Sequence, residues 1–197
     1  SATVPTLRIF RAAGIPMIIP ASNSTDLLTP GYDSIFLLSG TVNDEATFAL
    51  DQLRRLGRHS LAVVNDGTSF SATLATASTA RAAAAGLATV ADLELSQGAT
   101  DYARIAATIL ASGADAVYYT GYYAEAHQLI IDLRGAGFDG AIVVGDGAID
   151  DQLISGLTEP QTHELYGTSL PIAAFMPGLA EWSAHYLTAN GSAPGPN

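Results

Sequence analysis

The chain has 197 residues, 48% of them hydrophobic, with 19 acidic against 8 basic side chains and a formal net charge of -11; that is enough apolar material for a sizeable core in one domain or two small ones, and too much negative charge for the electrostatic footprint of a nucleic-acid or anionic-membrane binder. It contains no cysteine, which removes disulfides, thiolate metal sites and cysteine nucleophiles. All eight basic residues are arginine, so no lysine is present for a Schiff base or a Walker-type phosphate loop.

In chain order, residues 4–13 read as a helix and 15–19 as a strand closed by Pro20. The small and polar loop 21–25 follows that strand directly, either as a connecting turn or as a group of backbone and side-chain donors for a ligand. Residues 34–38 read as a strand, and Thr41 with Asp44 three positions on has the form of a capping box opening a helix that runs to Leu56. A strand at 60–64, an alanine-rich helix at 71–85, a strand at 88–95 and a helix at 101–111 follow.

Residues 116–119 form a short apolar, β-branched and aromatic run, and 142–144 form another, each flanked by glycine as buried parallel strands usually are. Between them Ala126, Leu129, Ile130 and Leu133 follow helical spacing, and Gly135 and Gly137 supply the stop. A short helix at 151–157, a strand at 165–170, a helix at 178–189 and a loose tail at 190–197 complete the reading. Strands alternating with helical stretches of about 10–15 residues predict an α/β fold with a doubly wound parallel sheet. Ligands of such sheets sit beyond the carboxyl ends of the strands, where this chain carries Tyr122 and Asp146.

Residues 1–10 lack a basic start followed by an apolar core, so no secretory signal is read in this chain. The longest apolar runs are broken by Gly14, Pro16 and Pro20 and fall short of the roughly 20 residues that cross a bilayer, so the chain reads as soluble.

Catalytic signatures are weak. His59, His127, His163 and His185 are scattered with no pair one helical turn apart, so no metal site is expected. The run from Gly67 to Ser71 lacks the final glycine of a nucleophile elbow, and no dinucleotide fingerprint follows a strand. No cofactor is implied.

The stretches AGIPMIIPASNSTDL, RHSLAVVNDGTSF and ADAVYYTGYYAEAHQLIIDLRGAGFDG, the last continuing into GDG, together resemble the leucine/isoleucine/valine-binding protein family. These are the type I periplasmic solute receptors of ABC transporters. The resemblance implies a bilobed type I periplasmic binding protein fold, in which a complete member is nearly twice this length. On that basis residues 1–41 and 167–197 are a partial lobe one and residues 42–166 are lobe two, with crossings near 39–41 and 167–169. It further implies an extracytoplasmic solute-binding protein, not an enzyme, that holds an amino acid or similar small metabolite between its lobes and docks on an ABC permease in the membrane. A ligand-sensing domain of the same fold and an unrecognised α/β enzyme stand as alternatives.

The resemblance also assigns site residues. Ala21 and Asn23 match the loop that offers a carbonyl to the ligand ammonium and a hydroxyl and amide hydrogen to its carboxylate, although the family usually has threonine or serine where Asn23 stands. Phe70 matches a position that is often tyrosine. Tyr122 would add a ring and a hydroxyl, and Asp146, set between Gly145 and Gly147, would meet the ammonium. As a carboxylate awaiting a ligand, Asp146 is expected to have no obligate partner in the empty protein.

Overall fold

In a computed structural model of the chain, residues 3–169 and 177–192 are described. Two sheets are built, and every strand pairing in both is parallel.

The smaller part begins with helix α1 (Thr3–Ala12), followed by strand β1 (Met17–Ile19) and strand β2 (Ile35–Leu37). The strand expected at 15–19 starts at Met17, because Pro16 has no N–H to give a ladder; Met17 N donates to Ser34 O at 2.8 Å. Leu7, Ile19 and Leu27 form a small core between α1 and this pair of strands. On the opposite face Ile18 and Phe36, which stand in register, remain 68% and 51% exposed.

The larger part is a five-stranded sheet in the order β4-β3-β5-β6-β7, with β3 Ser60–Asn65, β4 Ala88–Glu94, β5 Ala116–Tyr119, β6 Ala141–Val144 and β7 Leu165–Gly167. Its helices are α2 (Val42–Arg55), α3 (Ser69–Ala82), α4 (Ala103–Ser112) and α5 (Tyr123–Gly135). Successive strand residues point to opposite faces, and the two cores divide accordingly. Leu61, Val63, Tyr118 and Val143 pack with α2 and α3, while Ala62, Val64, Tyr119 and Val144 pack with α4 and α5. Helices therefore cover both faces, as the alternation of elements predicts.

The capping box at the start of α2 is formed: Thr41 Oγ1 accepts from Asp44 N at 3.4 Å, and Asp44 Oδ2 accepts from Thr41 N at 2.7 Å. Helix α3 starts at Ser69, earlier than the alanine run suggests, because Thr68 caps it by accepting from Ser71 N at 3.2 Å.

The helix expected at 151–157 is absent. Leu153 N, Ser155 N and Leu157 N bond carbonyls three residues back, giving successive turns, and Gly156 at φ 80° ends the run. The short helix, α6, lies instead at Glu159–Thr162, where Thr158 and Gln161 make a second capping box and Pro160 fits the first turn. Helix α7 spans Leu179–Asn190. Residue 170 of the expected strand at 165–170, and residues 193–197 of the tail, lie outside the described residues.

Candidate functional site

The ends of β1, β5 and β6 carry four of the residues selected from the sequence: Ala21 and Asn23 after β1, Tyr122 after β5 and Asp146 after β6. Phe70 stands in the first turn of α3, beyond β3.

Asn23 and Asp146 meet. The Asn23 Nδ2 donates to Asp146 Oδ2 and to Glu45 Oε2, each at 3.3 Å. The loop that carries Asn23 is itself docked on α2, since Asn23 O accepts from Val42 N at 2.8 Å. Asparagine in place of a hydroxyl residue thus has a local use here: its amide hydrogens face two carboxylates. Asp146 is not without partners, contrary to the expectation from sequence.

Phe70 and Tyr122 also meet, with ring centroids 5.9 Å apart and planes tilted by 47°. Both rings border Gly147: a Cβ there would come within 2.9 Å of Phe70 Cε1 and 3.4 Å of Tyr122 Cδ1. The aromatic pair therefore stands beside the acidic turn. Tyr122 is 42% exposed.

The network beneath positions the rings. Asp66 Oδ2 accepts from Tyr122 N at 3.2 Å, and Asp66 N donates to Ser71 Oγ at 3.0 Å. The Ser71 hydroxyl lies 3.1 Å from Thr120 Oγ1, and both residues are fully buried. These bonds tie the start of α3, with Phe70, to the end of β5, with Tyr122. Buried polar groups so satisfied hold one geometry firmly.

Ala21 is exposed at the end of β1, and neither it nor Phe70 and Tyr122 line the cavity around Asn23 and Asp146. That cavity measures about 260 Å³ and is bounded by Asn23, Gly40, Thr41, Glu45, Asp146 and Thr168.

Sequence reasoning missed Glu45. It lies in the first turn of α2, and its Oε1 accepts from Asp146 N at 2.8 Å and from Thr168 Oγ1 at 2.7 Å. Burial, and then the neighbouring Asp146 charge, push its carboxyl up to about 7, and burial raises Asp146 as well. The only trace in the sequence is a second acidic residue beside the Asp44 of the capping box, and nothing local says that it turns toward β6. Thr168 falls within the expected crossing at 167–169, a backbone assignment that gave its hydroxyl no role.

The arrangement has donors and acceptors around Asp146, with an aromatic pair beside them. Among the described residues no group of three or more His, Asp or Glu is placed to hold a metal ion. Also among them, no helix is long and apolar enough to cross a membrane.

Known proteins share this arrangement of elements. An amino acid binding protein of Pseudomonas aeruginosa is 28% identical over 162 residues, covering 82% of this chain and 43% of that protein. The Leu/Ile/Val-binding protein of Escherichia coli K12 is 28% identical over 187 residues, covering 87% of this chain and 50% of that protein. The crystal structure of a leucine binding protein from Thermotoga maritima superposes with a TM-score of 0.77 at 24% identity, covering 98% of this chain and 56% of that one. The chain spans about half the length of the curated relatives it matches. Its parallel, doubly wound α/β sheet is that of the type I periplasmic binding proteins. The sequence profile of the periplasmic binding protein family matches residues 1–197, and the chain belongs to that family.

Proposed function

We propose that this chain is part of an extracytoplasmic solute-binding component of an ABC importer, whose ligand is an aliphatic, branched-chain-like amino acid. The observation that carries the reading is the juxtaposition at the end of β6: the Asp146 carboxylate, the Asn23 amide from the smaller sheet, and the Phe70–Tyr122 ring pair beside Gly147. An acidic group beside an aromatic wall suits a ligand with an ammonium at one end and an apolar side chain at the other. The names of the relatives, an amino acid binding protein and a Leu/Ile/Val-binding protein, support the same class.

In this reading residues 42–166 are lobe two, and residues 1–41 and 167–197 belong to lobe one. The exposed apolar face of Ile18 and Phe36 supports the division, because a sheet with one bare apolar face is completed by further structure in a folded lobe. Asp146 meets the ligand ammonium, Tyr122 and Phe70 flank its side chain, and Asn23 contributes from lobe one. Contacts from both lobes favour a closed state by hinge motion, and the closed form docks on a membrane permease. No bond of the ligand is made or broken.

A thermal-shift screen of the intact protein against the twenty amino acids, their amides and small carboxylates tests this. A ligand that binds only the native state raises the melting temperature. Leucine, isoleucine or valine should do so. A set in which only carboxylates without an ammonium stabilise the protein would overturn the amino-acid reading.

A further inference from the structure

Glu45 is the more heavily engaged of the two carboxylates, yet ligand contact by Asp146 gives it no task. From α2 it holds the backbone after β6 through Asp146 N, the segment after β7 through Thr168 Oγ1, and the loop after β1 through the Asn23 amide. The two carboxyls are brought together by shared contacts: Asn23 Nδ2 lies 3.3 Å from an oxygen of each, and Asp146 N donates to Glu45 Oε1 at 2.8 Å. Two carboxylates this close, in a site partly withdrawn from water, do not both ionise readily, and one proton between them removes the repulsion and supplies a donor.

The groups around the pair give it no counter-charge. Tyr118 of β5 is fully buried and borders Glu45, and its hydroxyl has no hydrogen-bond partner of normal geometry. Asp44, on the same turn of α2, is engaged by Thr41 and held below the usual carboxylate range. Arg81 of α3 acts on Asp44 but is not among the groups that shift Glu45 or Asp146. The placement of Glu45 near 7 and the raised Asp146 agree with this geometry.

We propose that Glu45 and Asp146 are a proton-coupled pair which shares one proton in the empty protein and surrenders it to solvent when the α-ammonium of a ligand enters. The inference deepens the amino-acid reading and rests on it. No bond between heavy atoms changes: one carboxyl O–H breaks, the proton passes to water, and ammonium N–H groups take its place as donors. Counted over the carboxyl pair and the ammonium, the charge is the same before and after. Glu45 is thereby a specificity-determining residue, because an isostere that lacks the ammonium, such as the 4-methylpentanoate anion, has nothing to exchange for the proton.

Calorimetric titration of the intact protein with L-leucine, L-isoleucine and L-valine, in buffers of different ionisation enthalpy, counts the protons released. Near pH 6 the release should approach about one proton per ligand, and near pH 8.5 it should fall toward zero, with affinity rising up to about tenfold per pH unit below about pH 7. Glu45→Gln keeps a carbonyl for Asp146 N and Thr168 Oγ1 and removes the shared proton, so the proton release and the pH slope should vanish together. Binding by the wild type without proton exchange near about pH 6 would overturn the inference and leave the amino-acid reading standing. If no amino acid binds, both fall. Should the Gln variant fail to fold, the wild-type proton count decides alone.

Discussion

Ionising Glu45 costs folding free energy, and Glu45→Gln exposes the amount. Glu45 is held at about 7 in the folded protein against 4.5 ordinarily, because burial and the Asp146 charge both disfavour its anion. A carboxyl whose folded pKa is raised binds its proton more tightly when folded. Its contribution is therefore complete below the unfolded value and is lost as pH rises through about 7. A shift of this size corresponds to about 3 kcal/mol, of which part is shared with Asp146 because the two protons are coupled. Glutamine has no such titration and retains an acceptor for Asp146 N and Thr168 Oγ1. In urea unfolding of the ligand-free intact protein, the stability of the variant relative to wild type should grow by about 2–3 kcal/mol between about pH 4.5 and about pH 8. A difference that stays constant across that range would refute the argument, since it would mean that the folded environment does not penalise the Glu45 anion.

Three further outcomes follow from single contacts. Asp146→Ala should weaken binding of the aliphatic amino acid by about 2–5 kcal/mol, roughly 30- to several-thousand-fold, by calorimetry; unchanged affinity in a folded variant would reduce Asp146 to a turn residue. Gly147→Ala places a Cβ 2.9 Å from Phe70 Cε1 and 3.3 Å from Gly121 O, so it should displace the ring or the Asp146 turn, lowering both affinity and stability, the latter by about 1–3 kcal/mol. An alanine variant that melts and binds like wild type would show that the aromatic pair is not seated as described. Thr41→Ala removes the cap of α2 and should cost about 1 kcal/mol in thermal or urea unfolding; no loss would mean that packing alone holds the start of that helix.

Much was legible in the sequence because the signals are local. Hydrophobic spacing and glycine stops marked β5, α5 and β6; the Thr41–Asp44 pair marked the start of α2; and strand–helix alternation gave a parallel, doubly wound sheet. Where local chemistry competed, boundaries moved: Thr68 drew the start of α3 forward, and Gly156 with the following Thr158–Gln161 box turned an expected helix at 151–157 into turns followed by α6. The positions of Asn23, Phe70, Tyr122 and Asp146 after strands could be read from the chain, as could the departure from a hydroxyl residue at Asn23. Their meeting could not. Asn23 and Asp146 are 123 residues apart in the chain and share a hydrogen bond only because the loop after β1 docks on α2.

The sequence by itself determined the order and type of most elements, since side-chain period and capping act within a few residues. It also determined which chemistry was missing, since a chain without cysteine or lysine has none of theirs to offer. Only the tertiary structure decided that Glu45 joins Asp146. The first turn of α2 delivers that carboxylate to the end of β6, across 101 residues of chain, and no local pattern records which exposed-looking acid a folded sheet will turn inward. Desolvation and the nearness of a second carboxylate then set its proton affinity, and both are properties of the assembled fold rather than of any residue in it.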